Sequence, residues 1–491
     1  MKQRKLLAVS LTVVMAMSLA ACKGDSEGSD RTDSKDQANG TEEGSQDKED
    51  QRQEDGLVPY TDLKLGEDFT DLKASISVLS NRVDMDSPDY EGTIWSEYIE
   101  EFNQDYPDIQ VEVETVKDYA KTALDRLQSG EWGDVMMIPA VAKSDLENYF
   151  LPYGSLAELD TQVRFTGQWA YGGQAYGIPS NGNAQGIVYN KKVFQEAGIY
   201  DEADKNAKLP STPEEFLIAL QKIKDYDSTI IPLYTNYAAE WTMGAWDAYI
   251  GGCATGDSSY YNEKLLHTAN PFADPGNDTG AYHVYKILYD AVAQGLTEED
   301  YKETDWEESK SMMNQGQIGC MVLGSWAVSQ IQDAGPNVGD IGYMPFPITV
   351  NGKQYASAGP DYSYAVNKDS ENKQAALIFV KWMTEKSGYS YKEGGVPIAL
   401  EDENWPDVYS LFLSLGIEFV PDAPAVEGEE DLLNLLNTES GLNLNHSGDT
   451  KIQQIIDHAA QKDQEFDEIM KEWNQKWTKA QEAGNVEIID Y

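Results

Sequence analysis

The chain has 491 residues, of which 41% are hydrophobic, and this is enough for one large domain or two of medium size. Its formal net charge is −48, from 85 acidic and 37 basic side chains. A surface of this sign repels nucleic acid, so we expect no nucleic-acid partner. With only three cysteines, the chain is not a small scaffold held together by disulfides.

Residues 1–21 predict an export signal. A basic start precedes an apolar stretch that is too short to span a bilayer as a permanent helix. The run Leu19-Ala20-Ala21-Cys22 resembles the lipobox of bacterial lipoproteins, in which the cysteine takes a diacylglycerol and the preceding peptide is removed. We therefore expect Cys22 to anchor the protein to the outer face of the bacterial cytoplasmic membrane. The alternative is an ordinary cleavage site with an incidental cysteine.

Residues 23–56 have the composition of a flexible segment. They contain no aromatic residue, and Ala38 is their only aliphatic one. Such a segment cannot bury enough surface to offset the entropy of ordering it. We predict that 22–56 is a lipidated cysteine followed by a disordered acidic tether, and that folded sequence begins near Leu72.

The first folded stretch alternates strand patterns with amphipathic helical patterns. Its predicted elements are a strand over 74–79, a helix over 95–106, a strand over 109–113, a helix over 119–127 closed by Gly130, and a buried strand over 135–138. This β-α-β-α-β order predicts a parallel, doubly wound α/β sheet, in which ligands lie beyond the carboxyl ends of the strands.

A second unit follows, and its first helix has a strong start signal. Thr212 is the predicted N-cap, Pro213 takes the first helical position, and Glu215 completes a capping box. Later apolar patterns predict strands near 318–323 and 363–366, a helix over 371–386 and an amphipathic C-terminal region over 450–483. The polar face of that region is acidic, so we expect it to pack on the core rather than on a membrane.

Six motifs, in order along the chain, resemble the extracellular solute-binding proteins of family 1. The most specific lies in 171–199, where Tyr176-Gly177-Ile178-Pro179 is followed by Gly186-Ile187-Val188-Tyr189-Asn190-Lys191. The others are the helix start at 209–216, GQIGCMVLGSW at 316–326, IGYMPFP at 341–347, the segment 364–382 and the loop 394–397. The resemblance covers nearly everything from residue 72 to the end.

The resemblance implies a two-lobed periplasmic-binding-protein fold, with two doubly wound α/β lobes and the ligand in the cleft between them. The expected lobes are 72–185 with about 350–400, and 186–345 with about 405–491, which includes the C-terminal helices. A mobile hinge is expected near 186–189 and 345–360. Members of this family close on their ligand and then dock on the permease subunits of an ATP-driven importer.

Trp326 is the first candidate ligand residue, because it follows a strand and a Gly-Ser turn and matches the family's G-x-W tryptophan. Glu240 and Trp241 follow the strand pattern at 230–234, in a segment that resembles the family's second-lobe ligand loop. The alternative is a core tryptophan at Trp326, and an exposed helix start with a packing tryptophan at the other two.

Polar candidates follow the other predicted strand ends. Asn81 and Arg82 come directly after the first strand, and Asn183 lies between the two parts of the most specific motif. Asp361 and Tyr362 come after the expected return crossover. Planar polar side chains can make paired hydrogen bonds to sugar hydroxyls. Each of these residues could equally belong to a simple polar turn.

The 29 tyrosines and 11 tryptophans favour a carbohydrate, and within this family an oligosaccharide, as the ligand. We expect a monomer. We also expect no metal, cofactor or catalytic residues, because the predicted folded part, from residue 72 onward, has no nucleophile-elbow, zinc-protease or phosphate-loop motif. One alternative is a lipoprotein glycan hydrolase or lyase. Another is the same fold with a peptide or polyamine ligand, or with a sensing role. Cys253 and Cys320 are expected to be buried thiols, the alternative being one disulfide.

Overall fold

The computed structural model describes residues 56–88, 90, 92–201, 208–444 and 450–491. The predicted export signal, the lipidation site at Cys22 and residues 23–55 of the predicted tether lie outside the described residues. Residues 57–491 belong to one compact unit. No helix in the described part of the chain is long and apolar enough to cross a membrane.

The described residues form fourteen strands in three sheets. The strands are β1 Ala74–Ser80, β2 Ile109–Thr115, β3 Val135–Met137, β4 Gly154–Ser155, β5 Ala170–Tyr171, β6 Gln174–Ala175, β7 Ile178–Pro179, β8 Gly182–Asn190, β9 Ile231–Leu233, β10 Ile318–Gly324, β11 Ile341–Met344, β12 Tyr355–Pro360, β13 Ser363–Val366 and β14 Glu418–Val420. The strands predicted near 74, 109, 135, 318 and 363 are therefore present.

Helices cover the faces of the two larger sheets. Those of eight residues or more are α1 Trp95–Asp105, α2 Tyr119–Ser129, α3 Pro213–Tyr226, α4 Gly280–Ala293, α5 Trp306–Asn314, α6 Trp326–Asp333, α7 Lys373–Glu385, α8 Leu432–Ser440, α9 Thr450–Gln461 and α10 Phe466–Ala483. Shorter α-helical segments are Leu146–Tyr149, Leu156–Leu159, Lys191–Glu196, Trp241–Gly244, Gly252–Thr255, Leu265–His267, Tyr389–Lys392 and Ser410–Leu415. The predicted cap of α3 is present, since the Glu215 N–H donates to Thr212 Oγ1 at 3.2 Å.

The first lobe is built on a five-stranded sheet with the order β2-β1-β3-β13-β7. β1 runs parallel to β2 and β3, as predicted, while β13 runs antiparallel to β3 and β7. All of β3 is buried, which agrees with the continuous apolar run that predicted it. α2 ends at Gly130, whose φ of 77° is the left-handed conformation that closes many helices.

The second lobe is built on a sheet with the order β14-β12-β8-β10-β9, and β11 also pairs with β8. β8 runs antiparallel to β10, β11 and β12, so it is the central strand of this lobe. β10 is buried along its whole length. A three-stranded sheet of β4, β6 and β5 completes the set.

The chain crosses between the lobes at other positions than the sequence suggested. Residues 186–189 lie inside β8, and 345–360 includes β12, so both expected hinge segments belong to the second lobe. The outward crossing is instead Ser180–Asn181, between β7 and β8, and the return is Asp361–Tyr362, between β12 and β13. A third connection runs from Ala399, which bridges to Val163, to Trp405, which packs on Phe419. The expected hinge positions were wrong because β8 and β12 extend the second sheet up to Ser180–Asn181 and Asp361–Tyr362.

The C-terminal helices α9 and α10 complete the core of the second lobe. Buried apolar residues of both helices share one cluster with α3 and α4. Within this core the Lys451 ammonium lies 2.6 Å from the Asp247 carboxylate, and Asp247 also accepts a hydrogen bond from the Tyr285 hydroxyl at 2.7 Å. Cys253 and Cys320 are both buried and unbonded, so the expectation of two free thiols is confirmed.

Candidate functional site

A cavity of about 380 Å³ lies between the two lobes, and we call it the interlobe pocket. The first lobe contributes Lys143, Phe165, Gly167 and Gln168, while the second contributes Gln185, Ala248, Tyr261, Asn262, Ser357–Pro360, Pro421–Ala423 and Leu433. A second hollow, of about 440 Å³, is lined by residues of the second lobe alone, mainly from α3 and α4. A ligand that is buried by lobe closure must touch both lobes, and only the first of these two cavities allows this.

Three tryptophans of the second lobe come together beside this pocket, and we call Trp241, Trp306 and Trp326 the tryptophan cluster. Their ring centroids are 5.5 to 5.8 Å apart in all three pairs. Trp241 and Trp326 were predicted, whereas Trp306 at the start of α5 was not. All three rings are partly accessible to solvent, and Trp241 is 40% exposed. Such rings can stack on the C–H face of a sugar.

The loop that carries Trp241 is strained and tightly held. Asn236 has a φ of 59°, and Glu240 combines a φ of 54° with a ψ of −56°, a conformation that few residues with a side chain adopt. The Thr242 hydroxyl donates to the Asn236 carbonyl at 2.8 Å. Strain of this kind persists where the surroundings fix the backbone, so the loop presents Trp241 in one position. Glu240 itself is exposed beside it.

A buried carboxyl anchors the start of that loop. Glu298 accepts hydrogen bonds from the Thr235 N–H, at 3.0 and 3.1 Å, and from the Thr235 hydroxyl. Burial raises the pKa of Glu298 to about 7, although the bonds from Thr235 act in the opposite direction. The loop that carries Trp241 is therefore anchored by a carboxyl group, Glu298, that titrates near neutral pH.

Gly324 joins the tryptophan cluster to the interlobe pocket. A Cβ at this position would lie 2.6 Å from Trp326 Nε1 and 3.3 Å from Gln185 Oε1. The absence of a side chain thus lets the indole and the amide approach the end of β10 together. The Gln185 Oε1 atom is buried and has no hydrogen-bond partner among the described residues.

Near the crossing residue Asp361, the first lobe carries a cluster of polar side chains around Arg82, and we call this cluster the polar wall. The Arg82 guanidinium donates to the hydroxyls of Tyr389 and Tyr90 and to the Asp84 carboxylate, each at 2.7 Å, and lies 2.8 Å from Glu393. Burial alone would lower the pKa of Arg82, but these partners raise it overall. Most of the Arg82 donors are therefore used within the protein, so Arg82 is placed to position this wall rather than to offer all its donors to a ligand.

Asp361 and Tyr362 lie on the return crossing, beside this wall. The Asp361 N–H donates to the Asn181 carbonyl at 2.9 Å, which joins the two crossings to each other. The Asp361 side chain is open to solvent on one side, while many protein atoms lie around the rest of it. The water that these atoms displace would stabilise the charged form, so the pKa of the Asp361 carboxyl is raised. The exposed Tyr362 ring packs edge-on against Tyr119.

The remaining predicted residues lie near these walls. Asn81 follows β1, next to Arg82, and is partly buried. Asn183 is on β8, where its Oδ1 lies 3.5 Å from the Ser325 hydroxyl. The structure thus brings Asn183, Trp241 and Trp326 together on the second lobe, and Arg82, Asp361 and Tyr362 on the first.

Several polar residues of the cleft were missed by the sequence analysis. Gln185 and Asn181 each have a buried side-chain oxygen without a partner in the described part of the chain. Asp422 and Gln168 line the pocket from segments without a recognisable motif. Gln185 follows Asn183 at a spacing of two on a strand, which would have placed both on one face. No comparable signal marks Asp422. In the described residues, no group of three or more histidine, cysteine or acidic side chains is arranged to hold a metal ion.

Two α/β lobes, a cleft with an aromatic and a polar wall, and two crossings that lie side by side define a class of binding proteins that close around a ligand. The family model for bacterial extracellular solute-binding proteins matches residues 87–389. The chain belongs to this family, and the predicted two-lobed periplasmic-binding-protein fold is confirmed.

Known relatives agree with this assignment. The multiple sugar-binding protein of Streptococcus mutans is 23% identical over 345 residues, which cover 68% of this chain and 78% of that protein. A manno-oligosaccharide-specific solute-binding protein from Bifidobacterium animalis subsp. lactis, solved with mannotriose, is 51% identical with a TM-score of 0.76. The match covers 87% of this chain and 99% of that one.

A second structure from the same organism has the same identity, TM-score and coverage. It is the binding protein of an ABC transporter in complex with mannobiose. The chain therefore shares the two-lobed architecture of a binding protein that serves an ABC transporter.

Proposed function

We propose that this protein is the substrate-binding component of an ATP-driven importer, and that it captures a short mannose-containing oligosaccharide by closing its two lobes. The strongest support is the 51% identity to a manno-oligosaccharide-specific binding protein, over 99% of that chain. At this level of identity the cleft residues can be compared directly, whereas the more distant sugar-binding relatives support only the family and the fold.

The chemistry of the cleft suits a neutral sugar. The tryptophan cluster offers ring faces for the C–H side of a pyranose, and the unpartnered oxygens of Gln185, Asn181 and Glu393 offer acceptors for its hydroxyls. The walls carry no surplus of positive charge, since Arg82 is paired with Asp84 and Glu393, and Lys143 is acted on by the carboxylates of Glu430 and Asp431. An anionic ligand would have to compete with these carboxylates.

The cellular context of the proposal comes from the sequence. Cys22 would carry the lipid, residues 23–56 would act as a tether, and a monomeric closed form would dock on the permease subunits. The lipid would keep the receptor close to its permease, and the tether would leave the lobes free to turn. We propose that the bound sugar is delivered unchanged, without catalysis.

Titration calorimetry on residues 57–491 tests the substrate class. We expect mannobiose and mannotriose to bind. In unfolding experiments on the same residues, ligand at 100 times its dissociation constant should raise the free energy of unfolding by about 2.7 kcal/mol. Maltotriose is the control for linkage and sugar identity, and a tripeptide and spermidine are controls for the other ligand classes. Binding of the tripeptide or spermidine without any manno-oligosaccharide would contradict the proposal, and release of shorter sugars during incubation would favour a hydrolase.

A further inference from the structure

A long segment of the second lobe crosses one end of the interlobe pocket. This segment, Pro421–Asp431, connects β14 to α8, and we call it the strap. It is fixed to its own lobe, because the Ala423 N–H donates to the Ser258 carbonyl at 2.7 Å and the Asn262 side-chain amide donates to the Ala423 carbonyl at 2.6 Å. The beginning of the strap therefore has a defined position over the pocket.

The strap also touches the first lobe. A Cβ on Gly167 would lie 2.8 Å from Pro424 Cγ, so only a glycine allows this close approach. Farther along, the carboxylates of Glu430 and Asp431 act on the Lys143 ammonium, whose pKa is lowered by burial and partly restored by these two charges. The strap thus bridges the two lobes beside the pocket.

The strap places a carboxylate in the pocket that has no partner of its own. Asp422 lines the cavity and makes no hydrogen bond or ion pair through its side chain with any residue that the structure describes. Its Oδ1 would lie 3.2 Å from a Cβ on Gly251, so the carboxylate is held against the floor formed by that backbone. The Asp422 side chain remains accessible to solvent through the open side of the cavity, and the protein atoms around it raise its pKa to about 6.

A second acceptor in the same cavity is also unused. The Gln185 Oε1 atom is buried, lines the pocket from β8 and has no hydrogen-bond partner among the described residues. Buried acceptors without a donor cost free energy, and the cost is recovered when a ligand supplies the donor. Sugar hydroxyls are donors of the right kind.

We propose that the interlobe pocket is the subsite for one end of the carbohydrate chain, where Gln185 and Asp422 accept hydrogen bonds from sugar hydroxyls. The inference rests on the proposed function and extends it to the residues that hold the ligand. Because Gly324 brings Gln185 next to Trp326, a sugar ring in the pocket is continuous with a ring stacked on the tryptophan cluster. The strap holds Asp422 in place from the second lobe while contacting the first.

Two substitutions alter the acceptors with little change in shape. Asp422→Asn removes the negative charge and replaces one of the two acceptor oxygens by an amide donor, and Gln185→Met removes the buried oxygen while keeping the length of the side chain. Each variant should bind mannotriose about 10- to 100-fold more weakly, as expected for the loss of a hydrogen bond to a charged or buried acceptor. Glu427→Gln, on the same strap and also exposed but outside the lining of the pocket, is the matched control and should bind as the parent does.

The empty proteins supply a second readout. Because the removed oxygens have no partner within the described residues, neither variant should melt at a lower temperature than the parent in the absence of sugar. A merely structural role would instead lower the melting temperature and leave the affinity unchanged. If Asp422→Asn does not fold, Gln185→Met decides alone.

The outcomes separate this inference from the function on which it rests. Parent-like mannotriose affinity in both variants would overturn the subsite while leaving the receptor function intact. A parent protein that binds no carbohydrate would overturn the proposed function and the subsite with it.

Discussion

The two walls of the cleft are each braced by an ion pair, and the two pairs differ mainly in depth. On the second lobe, Lys451 and Asp247 lie 2.6 Å apart, with side chains 4% and 0% exposed. On the first lobe, Arg82 and Glu393 lie 2.8 Å apart, with side chains 21% and 9% exposed. The Lys451–Asp247 pair joins α9 to the segment that follows the short helix Trp241–Gly244. The Arg82–Glu393 pair lies in the polar wall of the first lobe.

This difference in depth predicts different consequences of breaking each pair. A fully buried charge without its partner cannot be solvated, so the loss falls on the fold. The Arg82–Glu393 pair keeps some contact with water through Arg82, so we expect a smaller loss of stability there and a larger effect on the geometry of the site.

The largest effect should come from breaking the deep pair. Lys451→Met leaves the Asp247 carboxylate buried without the Lys451 charge, and should lower the free energy of unfolding by about 3–5 kcal/mol. Denaturant unfolding of residues 57–491 measures this. The double variant with Asp247→Asn should recover part of the loss. If the single variant unfolds like the parent, the pair is not the brace of this lobe.

The next effect concerns pH and the loop that carries Trp241. The pKa of Glu298 is raised in the folded protein, so the folded state binds more protons than the unfolded one between about pH 4.5 and 7. Stability from this group is therefore present at low pH and lost as the pH rises, by up to about 3 kcal/mol.

The variant Glu298→Gln cannot ionise, so its stability should depend less on pH across the same window. Melting temperatures of parent and variant, measured in parallel from pH 4.5 to 8, isolate this group, because Asp361 and Asp422 titrate in both proteins. A difference that does not grow with pH would show that Glu298 is not the group responsible.

A smaller loss, and one of affinity rather than fold, is expected at Trp326. Trp326→Ala should weaken mannotriose binding by about 2–3 kcal/mol, because a stacked aromatic face is lost. Titration calorimetry measures the change, and thermal melting of the empty protein should show a smaller loss of stability than Lys451→Met. Trp326→Phe retains a ring and should keep most of the affinity. Collapse of the fold in Trp326→Ala would instead indicate a core residue.

The smallest effect on stability should follow from Arg82→Lys. The lysine keeps the positive charge near Glu393 but cannot bond Asp84, Tyr90 and Tyr389 together, so we expect a loss of about 1–2 kcal/mol. Affinity for mannotriose should nevertheless fall, since Arg82 helps to position the polar wall beside Asp361. Arg126→Lys, which alters the exposed pair with Glu114 in the same lobe, is the control. Equal affinities in the two variants would exclude a positioning role.

The difference between the walls also shows what sequence could and could not predict. Strand and helix patterns predicted the β-α-β-α-β order and the α3 cap, because local apolar spacing and capping residues determine them. The crossings were misplaced, because only strand pairing shows that β8 and β12 extend the second sheet up to the crossings. Trp326 and Trp241 follow strand ends and were found, whereas Asp422 reaches the pocket through a loop folded across from distant sequence.

The central claim is that the lobes close on a carbohydrate, and small-angle X-ray scattering tests it most directly. The radius of gyration of residues 57–491 should fall when mannotriose is added at saturating concentration, and Trp326→Ala at the same concentration should change less. An unchanged radius of gyration, in a sample where calorimetry shows that mannotriose is bound, would contradict capture by closure.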